Sequence, residues 1–148
     1  MSKIEAVLFD LDGTLLDSFP DFLASLENIN IKSSSKKIDE SVVRANVSDG
    51  SSKLLKLVFD IDTDDKDFDE HKRNFLNEYE RNILMYGNLF LGVSDLLNFL
   101  LDKKIPYGIV TNKPRKYTEI ILKKLSLLRQ SKVAVSYTHL TLPTICSV

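Results

Sequence analysis

The feature that most constrains the fold is a short apolar run, IEAVLF at residues 4–9, that stops abruptly at the acidic, glycine-containing DLDGT. A run this short and this uniformly apolar reads as a strand of a parallel sheet buried on both faces, with a functional loop at its carboxyl end. A second run, YGIV at residues 107–110, ends in Thr111, Asn112 and Lys113, and residues 132–134 begin a third. Between the first two, apolar residues recur at three- and four-residue steps: Phe19, Phe22, Leu23, Leu26 and Ile29 mark one amphipathic helix. Further helices are predicted over 39–47, 51–59 and 63–86, the last carrying Phe68, Phe75, Leu76, Tyr79 and Ile83, with Thr63 as its N-cap. Another covers 94–103, and a last one runs from Pro114, placed in its first turn, to about residue 125. Strands alternating with helices define an α/β class, and the block of helices between the first two strands is an inserted subdomain. The expected division is core over 1–16, helical cap over 17–87 and core again over 88–133.

Open parallel sheets bind ligands beyond the carboxyl ends of their strands, so the loop from Asp10 to Thr14 and the cluster from Thr111 to Lys113 should face one crevice. Asp10 and Asp12, one residue apart, repel each other and any phosphate dianion unless a cation lies among them. Magnesium suits that place, because it takes oxygen ligands and binds one or two carboxylates together with substrate phosphate. Gly13 lets the backbone turn sharply beside such a group. Lys113 either adds positive potential or extends into solvent; its position in the sequence leaves both open.

Composition narrows the partners. Twenty basic and 21 acidic residues leave a net charge of −1, which argues against nucleic acid or an anionic membrane as a partner. No apolar run reaches the roughly 20 residues of a membrane span, and the N-terminus lacks the order of charge, apolar stretch and cleavage site of a signal peptide, so a cytoplasmic location is expected. The single cysteine, Cys146, supports neither a disulfide framework nor a thiol metal site. The acidic run DIDTDDKDFDEH at 60–71 alternates like a calcium loop, but Asp65 stands where glycine is needed and His71 where glutamate is needed, so it reads as a solvated helix start. His71 has no second ligand to make a zinc site. Residues 134–148 show no helical or strand period, and VSYTHL at 135–140 resembles the translation of a common sequencing adapter. That stretch is expected to be non-native, and His139 and Cys146 receive no role.

The decapeptide FDLDGTLLDS at 9–18 resembles the DxDGT signature of the haloacid-dehalogenase superfamily, and IVTNKP at 109–114 resembles its second motif. The resemblance implies an α/β core of Rossmann-like parallel sheet, interrupted by a helical cap. It implies that Asp10 attacks phosphorus to form an aspartyl-phosphate, that Asp12 transfers the protons, and that Thr111, helped by donors near Asn112, holds the phosphoryl group. Magnesium would be bound by the Asp10 carboxylate and the Asp12 backbone carbonyl. SDGSSKLLKL around Gly50 resembles the cap's substrate loop, and LFLGVSDLLNFL the segment returning to the core, which brings the likeness nearest to phosphoglycolate-phosphatase-like members. The implied activity is magnesium-dependent hydrolysis of a small phosphorylated metabolite. A sugar-phosphate mutase, a pyrophosphatase and a non-catalytic phosphate-binding module are the alternatives. Members of the superfamily continue to a later lysine and an acidic strand end; without them the core is expected to be incomplete, the chain inactive and strand 4–9 left with an open apolar edge. The sequence does not specify an oligomeric state.

Overall fold

The computed structural model describes residues 4–33 and 37–137. Strands β1 (Val7–Phe9), β4 (Tyr107–Pro114) and β5 (Val133–Tyr137) form a parallel sheet in the order β1-β4-β5. Two two-residue strands, β2 (Leu16–Asp17) and β3 (Asn88–Leu89), pair antiparallel beside it, Leu16 with Leu89 and Asp17 with Asn88. Helices α1 (Phe19–Ser33), α2 (Glu40–Asn46), α3 (Ser51–Phe59) and α4 (Phe68–Asn82) lie between these two short strands in the chain. The β2–β3 ribbon therefore joins the cap's way out to its way back. Helices α5 (Val93–Asp102), α6 (Arg115–Lys124) and α7 (Ser126–Arg129) complete the core. No helix among the described residues is long and apolar enough to cross a membrane.

The apolar stripe predicted on α1 packs against α4. Phe22 stacks on Tyr79 with ring centroids 4.2 Å apart and on Phe75 at 5.9 Å, over fully buried Leu26, Leu54 and Leu55. In the core, Leu97 of α5, Ile109 of β4, Ile121 of α6 and Leu128 of α7 are fully buried.

Several boundaries differ from expectation. The helix predicted over 63–86 is shorter at both ends, and Thr63 does not cap it. Asp65 donates its N–H to the Asp62 carbonyl at 3.0 Å while its carboxylate accepts the Asp62 N–H at 2.6 Å, so a local turn takes the residues that were to begin the helix. At the other end Leu84 adopts φ +58°, and the next amides are drawn to Asp21. Pro114 is the last residue of β4, opposite Tyr137, and not a first-turn residue: its φ of −55° suits either role, but its ψ of 140° is extended. Only residues 7–9 of the first apolar run form a strand.

Among the described residues the sheet is covered on one face only. Along β4, Ile109, Thr111 and Lys113 are buried while Val110, Asn112 and Pro114 are exposed, an alternation that a strand covered on both faces would not show. Leu8 of β1 is 67% exposed, and β4 is the one partner β1 has among the described residues. Residues 134–137 extend β5; ladder bonds are made by the main chain, so this pairing is indifferent to the origin of that stretch. Residues 138–148, including His139 and Cys146, lie outside the described residues.

Candidate active site

β1 delivers Asp10 and Asp12 onto a loop that folds straight back on itself. Leu15 and Leu16 donate their N–H groups to the Leu11 carbonyl at 3.0 and 2.9 Å, and Gly13 donates to the Leu16 carbonyl at 2.9 Å with φ +82°. Leu11, Leu15 and Leu16 are at most 1% exposed and anchor the loop. The acidic side chains face the other way: Asp10 is exposed, touched by the Thr14 hydroxyl at a long 3.4 Å. The loop's hydrogen bonds pass over Asp12, leaving its own carbonyl without a backbone partner among the described residues.

The pleat of β4 sends Thr111 and Lys113 to the same buried side. The Lys113 N–H donates to the Thr111 hydroxyl oxygen at 3.1 Å, leaving the hydroxyl proton for another acceptor. The Thr118 hydroxyl, from α6, lies 3.3 Å from both the Lys113 and Pro114 carbonyls. The Lys113 side chain is 4% exposed, and its Nζ donates to both carboxylate oxygens of Asp12, at 2.9 and 3.0 Å, across 101 residues of sequence. The same ammonium lies 5.0 Å from the Phe22 ring centroid and 4.9 Å from that of Tyr79. Burial lowers the Lys113 pKa from its ordinary value, against the upward pull of Asp12 and, more weakly, of Asp21 and Asp10. This buried, paired lysine settles the choice the sequence left open: it is part of the site and not a solvated side chain.

Asp10, Asp12, Thr111 and Asn112, and Gly50 from the cap, line a single cavity of about 430 Å³. Gly50 has φ +91° and open space where a Cβ would stand, so its glycine is required by backbone conformation and not by close approach. The cap's aromatic wall was visible in the sequence only as helix periodicity: Phe22 and Tyr79 line the same cavity. Tyr117 of α6, another lining residue, meets Tyr79 edge-on at 5.4 Å. The Tyr79 hydroxyl is buried without a hydrogen-bond partner among the described residues, and burial holds its pKa well above the usual phenol range.

The cap is held against the core by contacts that sequence reasoning missed. Asp21, 1% exposed in the first turn of α1, accepts the N–H of Leu84 at 2.8 Å and those of Tyr86 and Gly87 at 2.9 Å. One carboxylate thus ties the cap's entrance to its exit. Lys116 pairs with Glu80, and Lys124 Nζ donates to the Ile83 carbonyl at 2.6 Å, both bridging α6 to the cap or its return.

Magnesium would find half a site. The exposed Asp10 carboxylate and the Asp12 carbonyl are suitable oxygens, but among the described residues no three acidic, histidine or cysteine side chains gather around one point.

A capped α/β core with this loop at its first strand end defines a hydrolase class. Residues 7–143 match the model of the haloacid dehalogenase-like hydrolase family, and the chain belongs to that family. It is 31% identical over 137 residues to an N-acetylmuramic acid 6-phosphate phosphatase of Pseudomonas putida, covering 93% of this chain and 61% of the relative. It is 36% identical over 130 residues to a phosphoglycolate phosphatase of Xanthomonas campestris pv. campestris, covering 88% and 58% respectively. A crystal structure of a predicted phosphoglycolate phosphatase from Haemophilus somnus superposes with a TM-score of 0.78 at 23% identity, over 92% of this chain and 64% of the other, a likeness of fold. The chain thus spans about three-fifths of the length of these curated relatives.

Proposed function

We propose that this site belongs to a magnesium-dependent phosphatase acting on small phosphorylated metabolites, with phosphate esters of carboxylic acids as the preferred class. The observation that carries the reading is the exposed Asp10 carboxylate beside an Asp12 already paired to a buried ammonium, at one wall of a cavity shared by cap and core. A free carboxylate is the nucleophile such a site needs, and Asp10 attacks phosphorus to give an aspartyl-phosphate. Asp12 donates a proton to the leaving oxygen and takes one from the hydrolytic water. The Thr111 hydroxyl donates to a phosphoryl oxygen, and Asn112 lies at the same rim. Bound to the Asp10 carboxylate and the Asp12 carbonyl, magnesium would offset charge on the phosphoryl oxygens. The cavity, about 430 Å³, falls within the range of pockets that enclose whole small molecules, about 300–1,000 Å³. The names of two relatives support the substrate class, since glycolate and N-acetylmuramic acid are both carboxylic acids.

The chain spans about three-fifths of the length of its curated relatives, and a nucleophile can be identified without turnover. The test therefore reads the nucleophile directly. Beryllium fluoride with magnesium should form a complex on Asp10 visible by fluorine NMR, and Asp10→Asn should abolish it. A signal of equal strength in Asp10→Asn would mean that another group carries the chemistry.

A further inference from the structure

The Lys113 ammonium has more donors than its protein partners use. It carries three N–H bonds, and among the described residues the one group that accepts from them is the Asp12 carboxylate, 2.9 and 3.0 Å away. Its remaining neighbours are the faces of Phe22 and Tyr79, which attract a cation but accept no hydrogen bond of ordinary strength. Behind it, Tyr79 is 2% exposed and its hydroxyl has no partner among the described residues. An unmatched buried hydroxyl is costly; Tyr79 lines the cavity, and a ligand atom that reached its hydroxyl would complete the bonding.

The two donors come from opposite sides of the seam, Lys113 from β4 of the core and Tyr79 from α4 of the cap. Thr111 and the loop of Asp10 lie on the core side, so a phosphoryl group held there extends its organic part toward the cap and past Lys113. An oxygen anion on that organic part is what a spare ammonium N–H and an idle phenol both lack. We propose that Lys113, with the Tyr79 hydroxyl, recognises the carboxylate of a phosphorylated acid and so determines which phosphate esters the site accepts. Asp12 occupies Lys113 in this structure; rotation about the lysine stem would let the ammonium turn partly toward an incoming carboxylate and open the way to the hydroxyl. This rests on the phosphatase reading above and adds to it the group that selects the substrate.

The test compares two ligands that differ in the carboxylate alone. Binding of 2-phosphoglycolate and of ethyl phosphate to the full chain, with magnesium present, is measured by titration calorimetry. A charge-assisted hydrogen bond predicts that phosphoglycolate binds about 10- to 100-fold tighter. Lys113→Met should bring that ratio close to one, and Tyr79→Phe should reduce it several-fold with the melting temperature unchanged or raised. Equal affinities in the wild-type chain, or a ratio that survives both substitutions, would overturn the inference while leaving the phosphatase reading intact. A Lys113→Met chain that weakens both ligands alike would also overturn it, because that is the result of a purely structural lysine. Should Lys113→Met not fold, the wild-type ratio and Tyr79→Phe still decide. Binding of neither ligand to the wild-type chain would count against the phosphatase reading and this inference together.

Discussion

The seam between cap and core buries charged side chains, whereas the outer face of the sheet leaves apolar ones exposed. At the seam a charged side chain, Asp21, is 1% exposed and satisfied by three backbone amides, and Lys113 is buried against Asp12. Along the outer face Leu8 is 67% exposed and Val110 46%. Polarity therefore does not decide burial here; the presence of a covering element does. Helices α1–α4 leave and re-enter the core at its strand ends and close over them. Nothing among the described residues closes over Leu8, in a chain that spans about three-fifths of its relatives' length.

The contrast can be broken most forcefully at Asp21. Asp21→Ala removes the acceptor of three amides, and at about 1–3 kcal/mol for each unsatisfied buried group it should cost at least about 3 kcal/mol in urea denaturation. A loss below about 1 kcal/mol would show that water already serves those amides and that the seam is not closed. Gly87→Ala is expected to cost less, about 1–3 kcal/mol, because overpacking is partly relieved by small shifts. Its added Cβ would stand 2.7 Å from both the Asp17 carbonyl oxygen and Asp21 Oδ2, and the first of these is main chain that cannot rotate away. The smallest effect belongs to the open face. Leu8→Lys should change stability by no more than about 0.5 kcal/mol, while reducing self-association in sedimentation velocity, since a lysine blunts an exposed strand edge. A loss of more than about 1 kcal/mol at that position would show that Leu8 is covered in solution after all.

Much of the lining of this cavity could be read in advance. Asp10, Asp12, Gly50, Thr111 and Asn112 line one cavity because strand ends in a parallel sheet share a side and the cap lies in the chain between them. The helices at 39–47 and 51–59 appear nearly as expected, as α2 and α3. The start of α4 was misplaced because its acidic residues satisfy a turn as readily as a helix end, and only the Asp62–Asp65 bonds distinguish the two. β2 and β3 have no period to detect, being two residues each. Asp21 looked like an ordinary acidic residue in a first turn, where the helix dipole favours it; its partners lie 63 to 66 residues ahead.

What the sequence determined by itself was whatever is written locally: the period that makes α1 a helix, the glycine that turns the loop after Asp10, and the order of acidic loop, cap and threonine-ended strand that marks the family. Only the tertiary structure decided that Lys113 is buried against Asp12, that Asp21 fastens the cap's return, and that among the described residues one face of the sheet stays open. Those outcomes depend on which distant elements come into contact, because desolvation and hydrogen-bond satisfaction are properties of the space around a side chain and not of its neighbours in the chain.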